Sequence, residues 1–172
     1  TSAPHHYPTR RSSDVLQKLR NVAVKTNKKL CEEIGINQSA AVTCVNPSGT
    51  VSQLVDAASG IHARHNPYYT RTVRGDNKDP LTMFMKEKQI PNEPDFTAPE
   101  SVTVFSFPMK SPDHAITRYS LTAIEQLELW LKIANNYCEH KPSVTISVKE
   151  HEWLEVGSWC WDHFDDLSGI SF

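Results

Sequence analysis

Ser48, Thr50 and Ser52 place three hydroxyls within five residues, around Gly49 and directly behind Pro47, in the text Ser-Ala-Ala-Val-Thr-Cys-Val-Asn-Pro-Ser-Gly-Thr-Val-Ser-Gln-Leu-Val at 39–55. Hydroxyls so spaced can donate together to an oxyanion, and so can the amide N–H groups that open a helix, which have no intrahelical partner. Pro47 and Gly49 punctuate the chain, and Val51, Leu54, Val55 and Ala58 recur at helical spacing. The pattern predicts an apolar strand over 40–45, a Pro-Ser-Gly-Thr turn, and a helix from about Thr50 to Ala58 whose positive end faces the space above the turn. A phosphate group would fit there. On these residues alone the alternative is an ordinary helix start, capped by Ser48 or Thr50, with no ligand.

A second group of chemically suggestive residues follows at 59–74: Ser-Gly-Ile-His-Ala-Arg-His-Asn-Pro-Tyr-Tyr-Thr-Arg-Thr-Val-Arg. Three readings stand. The run is a solvated strand and turn, with Tyr68 or Tyr69 on the core and the arginines paired to Asp76, Asp79 or Glu87. Alternatively Arg64 and Arg71 supply cations to a polyphosphate near the turn, or the arginines and tyrosines bind single-stranded nucleic acid by charge and stacking. Metal chemistry is weakly signalled: His62 and His65 lie three apart and His5 and His6 are adjacent, with no third ligand at a recognisable spacing, so no metal is expected. Cys138-Glu139-His140 is no nucleophile and base pair, because adjacent residues on a helix point to different sides. Gly-x-Gly-x-x-Gly, P-loop and Gly-x-Ser-x-Gly motifs are absent. No catalytic residue is assigned.

The elements that must position these groups alternate. The chain of 172 residues suits one domain, and its net charge of -2 argues against a general polyanion binder, so nucleic acid is a poor partner. No apolar run approaches the roughly 18 residues of a membrane helix, and the first residues carry no apolar core of a secretory signal. Cys31, Cys44, Cys138 and Cys160 sit inside apolar patterns without paired spacing, which reads as buried reduced thiols and a cytoplasmic setting. Residues 1–13 read as a loose N-terminal tail. Val15, Leu16, Leu19, Val22, Ala23, Leu30 and Ile34 trace a helical face closed by Gly35. The stretch 59–100 reads as an irregular insertion, with a short helix started by Asp79-Pro80 and a proline-rich linker over 91–99. Val102, Val104, Phe105 and Phe107 form a strand stopped by Pro108. Thr122 and Glu125 match a capping box opening a helix through Cys138. Residues 143–148 alternate as a strand, a last helix carries Trp153, Val156, Gly157, Cys160, Phe164 and Leu167, and 170–172 form an apolar stub. Strands separated by helices predict an α/β fold of parallel βαβ units.

The continuous text from Val42 through Asn-Pro-Ser-Gly-Thr-Val-Ser to Leu81 resembles adenosylcobalamin-dependent (class II) ribonucleotide reductases, especially those acting on ribonucleoside triphosphates. Val-Phe-Ser-Phe-Pro-Met-Lys at 104–110, Ala-Ile-Glu-Gln-Leu-Glu-Leu-Trp at 123–130 and Cys-Glu-His-Lys-Pro-Ser-Val-Thr-Ile-Ser-Val at 138–148 carry the same resemblance, which runs from about Val15 to Phe172. It implies that 14–172 are part of a ten-stranded α/β barrel. It also implies that Ser48, Gly49, Thr50, Val51 and Ser52 cradle the phosphates of a ribonucleoside di- or triphosphate. Asn46 departs from a lysine expected before Pro-Ser-Gly-Thr, leaving charge to amides, hydroxyls and Arg64 or Arg71.

In such enzymes cobalamin homolysis yields a cysteine thiyl radical that takes the ribose 3′ hydrogen, while a cysteine pair supplies electrons as the 2′ hydroxyl leaves. The radical loop, Asn-x-Cys-x-Glu, is absent, and Asn136-Tyr137-Cys138-Glu139 has the wrong spacing. The resemblance places that loop before residue 1 and further barrel sequence after residue 172. The chain is therefore expected to be inactive alone, to lack a cobalamin site of its own, and to dock on an upstream reductase fragment bearing the radical cysteine, or else to self-associate. A non-catalytic nucleotide-binding or nucleic-acid-binding module derived from the barrel is the alternative.

Overall fold

The computed structural model describes residues 10–172. It divides into two compact units, one built from 10–63 with 118–172 and the other from Arg64–Thr117.

In the first unit α1 (Arg10–Ile34) begins earlier than the sequence pattern indicates, so 10–13 are helical rather than tail; the rest of the expected tail, 1–9, lies outside the described residues. Gly35, at φ +78, turns the chain so that the Gly35 and Ile36 amides both donate to the Cys31 carbonyl, closing the helix as its position predicts. The expected core-facing stripe is nevertheless exposed, with Val15, Leu19, Val22, Leu30 and Ile34 all open to solvent.

The core of this unit comes from α4 (Ala123–Asn136), α5 (Trp153–Asp162) and the extended residues between them. Ala123, Leu127, Trp130, Val144, Ile146, Val156 and Trp159 pack as one cluster. α4 starts with the predicted capping box, Thr122 Oγ1 accepting from the Glu125 amide and Glu125 accepting from the Thr122 amide. A second carboxylate reinforces that end: buried Glu152 accepts from the Ala123 and Lys149 amides. Burial pushes its carboxyl pKa up, but these donors and the nearby Lys149 and His151 charges bring it below its ordinary value.

Residues 143–148 keep the predicted alternation, with Val144 and Ile146 inward, yet they form only a parallel bridge, Thr145 to Ser171, instead of a ladder. The Gln126 side chain takes the missing strand's place, donating to the Ser147 carbonyl and accepting from its amide. The final helix is shorter than its apolar spacing suggests: α5 ends at Asp162, and a separate 3₁₀ turn covers Phe164–Asp166, leaving Phe164 exposed.

The second unit corrects two expectations. It is neither an irregular insertion nor parallel. β1 (Tyr68–Asp76), α3 (Pro80–Glu87), β2 (Asn92–Pro94) and β3 (Val102–Lys110) make an antiparallel sheet ordered β1-β3-β2, with Tyr68 opposite Lys110 and Asp76 opposite Val102. The supposed linker contributes β2, and β3 runs through Pro108 instead of stopping there. Proline is tolerated because β2 pairs only Thr103 to Phe105, so at Pro108 β3 has a neighbour on one side. Phe105 is fully buried, and Gly75 lets α3 approach: a Cβ there would lie 2.2 Å from Thr82 Oγ1. Asp79 caps α3 ahead of Pro80, as predicted.

Asp95 anchors the turn after β2. Its carboxylate accepts from the Thr97 hydroxyl at 2.6 Å, from Arg74 Nε at 2.6 Å, and from the Thr97 and Ala98 amides. Arg74 thus pairs with Asp95 and with none of the acids expected from the sequence. These bonds, the Thr97 hydroxyl first, hold the Asp95 pKa far below the ordinary 3.8. A depressed carboxylate adds stability above its unfolded pKa and loses it as pH falls toward the folded value. The Arg64–Thr117 unit should therefore weaken progressively below about pH 4, and Asp95→Asn should flatten that acid limb when unfolding is followed across pH.

Candidate functional site

The Pro-Ser-Gly-Thr turn is held from below by its own hydroxyls. Ser48 Oγ accepts from the Ser52 amide at 2.8 Å, while Ser52 Oγ and Ser59 Oγ donate to the Ser48 carbonyl at 3.3 and 2.9 Å. Gly60 closes over the entry; at φ +60, a Cβ on it would meet the Asn46 carbonyl oxygen at 3.2 Å. The turn is thus one closed loop from Asn46 to His62. Ser48 and buried Ser52 build it from inside, and Gly49, Thr50 and Val51 form its exposed surface. Among the described residues the Thr50 and Val51 amides and the Thr50 hydroxyl have no protein partner.

The helix expected to follow is a single turn, α2 (Val51–Leu54), with no side-chain cap at Thr50. A single turn sums too few peptide dipoles to supply the macrodipole that the sequence pattern suggests, so anion binding rests on individual amides and hydroxyls. Val51, Leu54 and Val55, the predicted buried face, are exposed. The strand expected over 40–45 is also absent. A ladder needs a neighbouring strand, and here the backbone runs beside an irregular loop: the Glu139 and His140 amides donate to the Thr43 carbonyl, and Glu139 Oε2 accepts from the Val42 and Thr43 amides.

His62, weighed from sequence only as half of a metal pair, has a structural part. Its Nδ1 lies 2.8 Å from the Ser59 carbonyl, which only accepts, and its Nε2 lies 3.1 Å from the Thr145 amide, which only donates. These partners fix the neutral Nδ1–H tautomer and tie the loop to the bridge strand. Among the described residues no three His, Cys, Asp or Glu side chains come together in a way that could hold a metal ion.

Beside Pro47 lies an open cleft of about 140 Å³, lined also by His62, Lys141, Ser143, Thr145 and Ser171. Lys141 carries no signal of a site in the sequence; only its position beside the loop in space, ninety-odd residues on, reveals it. Arg64 and Arg71 fall in the other unit from the turn. Arg64 is buried beside Thr117, Arg71 sits on β1 opposite Phe107, and each already has an interaction of its own. The base at His140 approaches a cysteine other than its neighbour: its Nδ1 is 3.9 Å from Cys44 Sγ. All four cysteines are free thiols, but only Cys31 is buried, and desolvation raises the Cys138 and Cys160 pKa values.

No family model matches the chain. It is 30% identical over 145 residues to the adenosylcobalamin-dependent ribonucleoside-triphosphate reductase of Euglena gracilis, covering 84% of this chain and 20% of that protein. The enzyme of the same name from Lactobacillus acidophilus is 31% identical over 148 residues, 83% of this chain and 20% of the relative. A probable reductase of this kind from Dictyostelium discoideum is 31% identical over 150 residues, 85% and 19%. A crystal structure of a B12-dependent, class II ribonucleotide reductase shares the fold with a TM-score of 0.77 over 95% of this chain and 23% of that one, at 24% identity. The chain therefore spans about a fifth of the length of the curated relatives it matches.

Proposed function

We propose, from the chain's homology to a segment of the adenosylcobalamin-dependent ribonucleoside-triphosphate reductases, that it holds the substrate's phosphates in such an enzyme and so takes part in making deoxyribonucleotides. The observation that carries this reading is the turn: the Thr50 and Val51 amides and the Thr50 hydroxyl stand open on a loop that Ser48, Ser52 and Ser59 brace from within. Open donors on a rigid loop suit an oxyanion because they cost little ordering when the ligand arrives. Ser48, Gly49, Thr50, Val51 and Ser52 act as the cradle, with Ser48 and Ser52 shaping it and the other three facing the ligand. Fixing the phosphates fixes where the ribose lies, and radical abstraction from a ribose carbon tolerates little misplacement.

The remaining chemistry belongs to other parts of the reductase. Adenosylcobalamin, which the relatives' names record as their cofactor, is held in this reading by the rest of the reductase. The exposed apolar stripe of α1, together with Val51, Leu54 and Val55, is surface that the rest of a barrel of about ten strands would cover. Four free thiols favour a reducing, cytoplasmic setting. Mixing this chain with a chain bearing the remaining reductase sequence tests the reading: ribonucleoside triphosphate reduction, dependent on adenosylcobalamin and on both chains, is expected. Activity of the second chain that is indifferent to this one would contradict it.

A further inference from the structure

The cleft beside Pro47 has a composition that the proposed phosphate turn does not use. Its lining carries one ammonium, on Lys141, and three hydroxyls, on Ser143, Thr145 and Ser171. No carboxylate pairs with Lys141 among the described residues, and none of the three hydroxyls bonds to another described residue. Gly169 makes room for the lysine: a Cβ at that position would lie 2.2 Å from Lys141 Nζ. His62 brings no open donor, since its ring nitrogens are taken by Ser59 and Thr145. It ties the loop at Ser59 to Thr145 instead. A lysine and several hydroxyls converging without acidic partners complement a compact, multiply charged oxyanion, because such donors reach all sides of a tetrahedral group.

We propose that Lys141, with the hydroxyls of Ser143, Thr145 and Ser171, seats the outermost phosphate of a ribonucleoside triphosphate whose inner phosphates lie on the turn; this rests on the turn holding the nucleotide. Pro47 belongs to the turn and also lines the cleft, so the two places adjoin. The terminal phosphate carries close to two negative charges at neutral pH, and Lys141 supplies a cation within the turn's own unit, where Asn46 brings none. The seat distinguishes triphosphate from diphosphate, since the shorter ligand ends before reaching it.

Calorimetric titration of the chain with a ribonucleoside triphosphate and with the matching diphosphate tests this in the wild type, Lys141→Gln and Lys141→Arg. Loss of one charge-assisted contact should weaken triphosphate binding by roughly tenfold in Lys141→Gln and leave the diphosphate nearly unchanged. Lys141→Arg should retain most of the affinity. Equal effects on both ligands, or none on either, would overturn the seat while leaving the turn reading intact. If neither nucleotide binds the wild type, the turn reading fails. Inorganic tripolyphosphate then decides the oxyanion seat separately: Thr145 and Ser171 amide shifts that vanish in Lys141→Gln sustain it, and their absence in the wild type rejects it.

Discussion

Trp130→Ala should lower the stability of the α4 and α5 unit by roughly 3 to 5 kcal/mol. Trp130 is fully buried at the centre of the cluster formed with Leu127, Val144, Ile146 and Val156, and its indole N–H donates to the Pro142 carbonyl at 2.9 Å. Truncation removes a large apolar surface, leaves a cavity that surrounding helices cannot fully close, and strands the Pro142 carbonyl. Domains of this size are stable by only about 5 to 15 kcal/mol, so the loss is a large share of the total. Urea unfolding followed by the remaining tryptophans, Trp153, Trp159 and Trp161, reads it. Trp130→Phe separates the contributions, because it keeps most of the ring and loses the hydrogen bond, and should cost about 1 to 2 kcal/mol beyond the lost area. A Trp130→Ala protein as stable as wild type would mean that the core lies elsewhere.

Thr50→Asp should abolish most nucleotide binding while leaving the fold alone. Thr50 is exposed, stands at the position before α2 and makes no side-chain cap, so aspartate, itself a good cap, is accommodated. What changes is a negative charge among donors meant for phosphate. Like charges about 4 Å apart near a protein surface repel by up to about 4 kcal/mol, and screening reduces this, so an affinity loss on the order of a hundredfold is expected. Thr50→Ser keeps the hydroxyl and should bind nearly as wild type. Calorimetry with a ribonucleoside triphosphate, beside unfolding curves for both variants, checks the two halves of the statement. Undiminished binding by a well-folded Thr50→Asp would move the phosphates off the turn.

Signals confined to a few neighbouring residues are legible in the sequence. The capping box at Thr122 and Glu125, the glycine closure at Gly35, the Asp79-Pro80 helix start and the inward Val144 and Ile146 all appear as expected. What failed depended on neighbours. The spacing of Val51, Leu54 and Val55, or of Val15, Leu19 and Val22, tells which side chains share a face but not whether anything packs on that face, and in this chain these faces are open. Likewise 40–45 reads as a strand, yet pairing needs a partner, and a loop and the Glu139 carboxylate stand in its place. The parallel expectation came from alternating helices and strands; β1 and β3 pair instead across a long excursion that carries no hairpin signal. At the site, the hydroxyls of Ser48 and Ser52 were legible as a group, but their inward role was not, and His62 meets Thr145 from 83 residues away. Lys141 could be found only by seeing what lies beside Pro47.

The most direct measurement is a crystal structure of this chain grown with a ribonucleoside triphosphate. Phosphate density against the Thr50 and Val51 amides and the Thr50 hydroxyl is the expected result. A nucleotide bound with its phosphates away from residues 48–52, or no bound nucleotide at saturating concentration, would contradict the account.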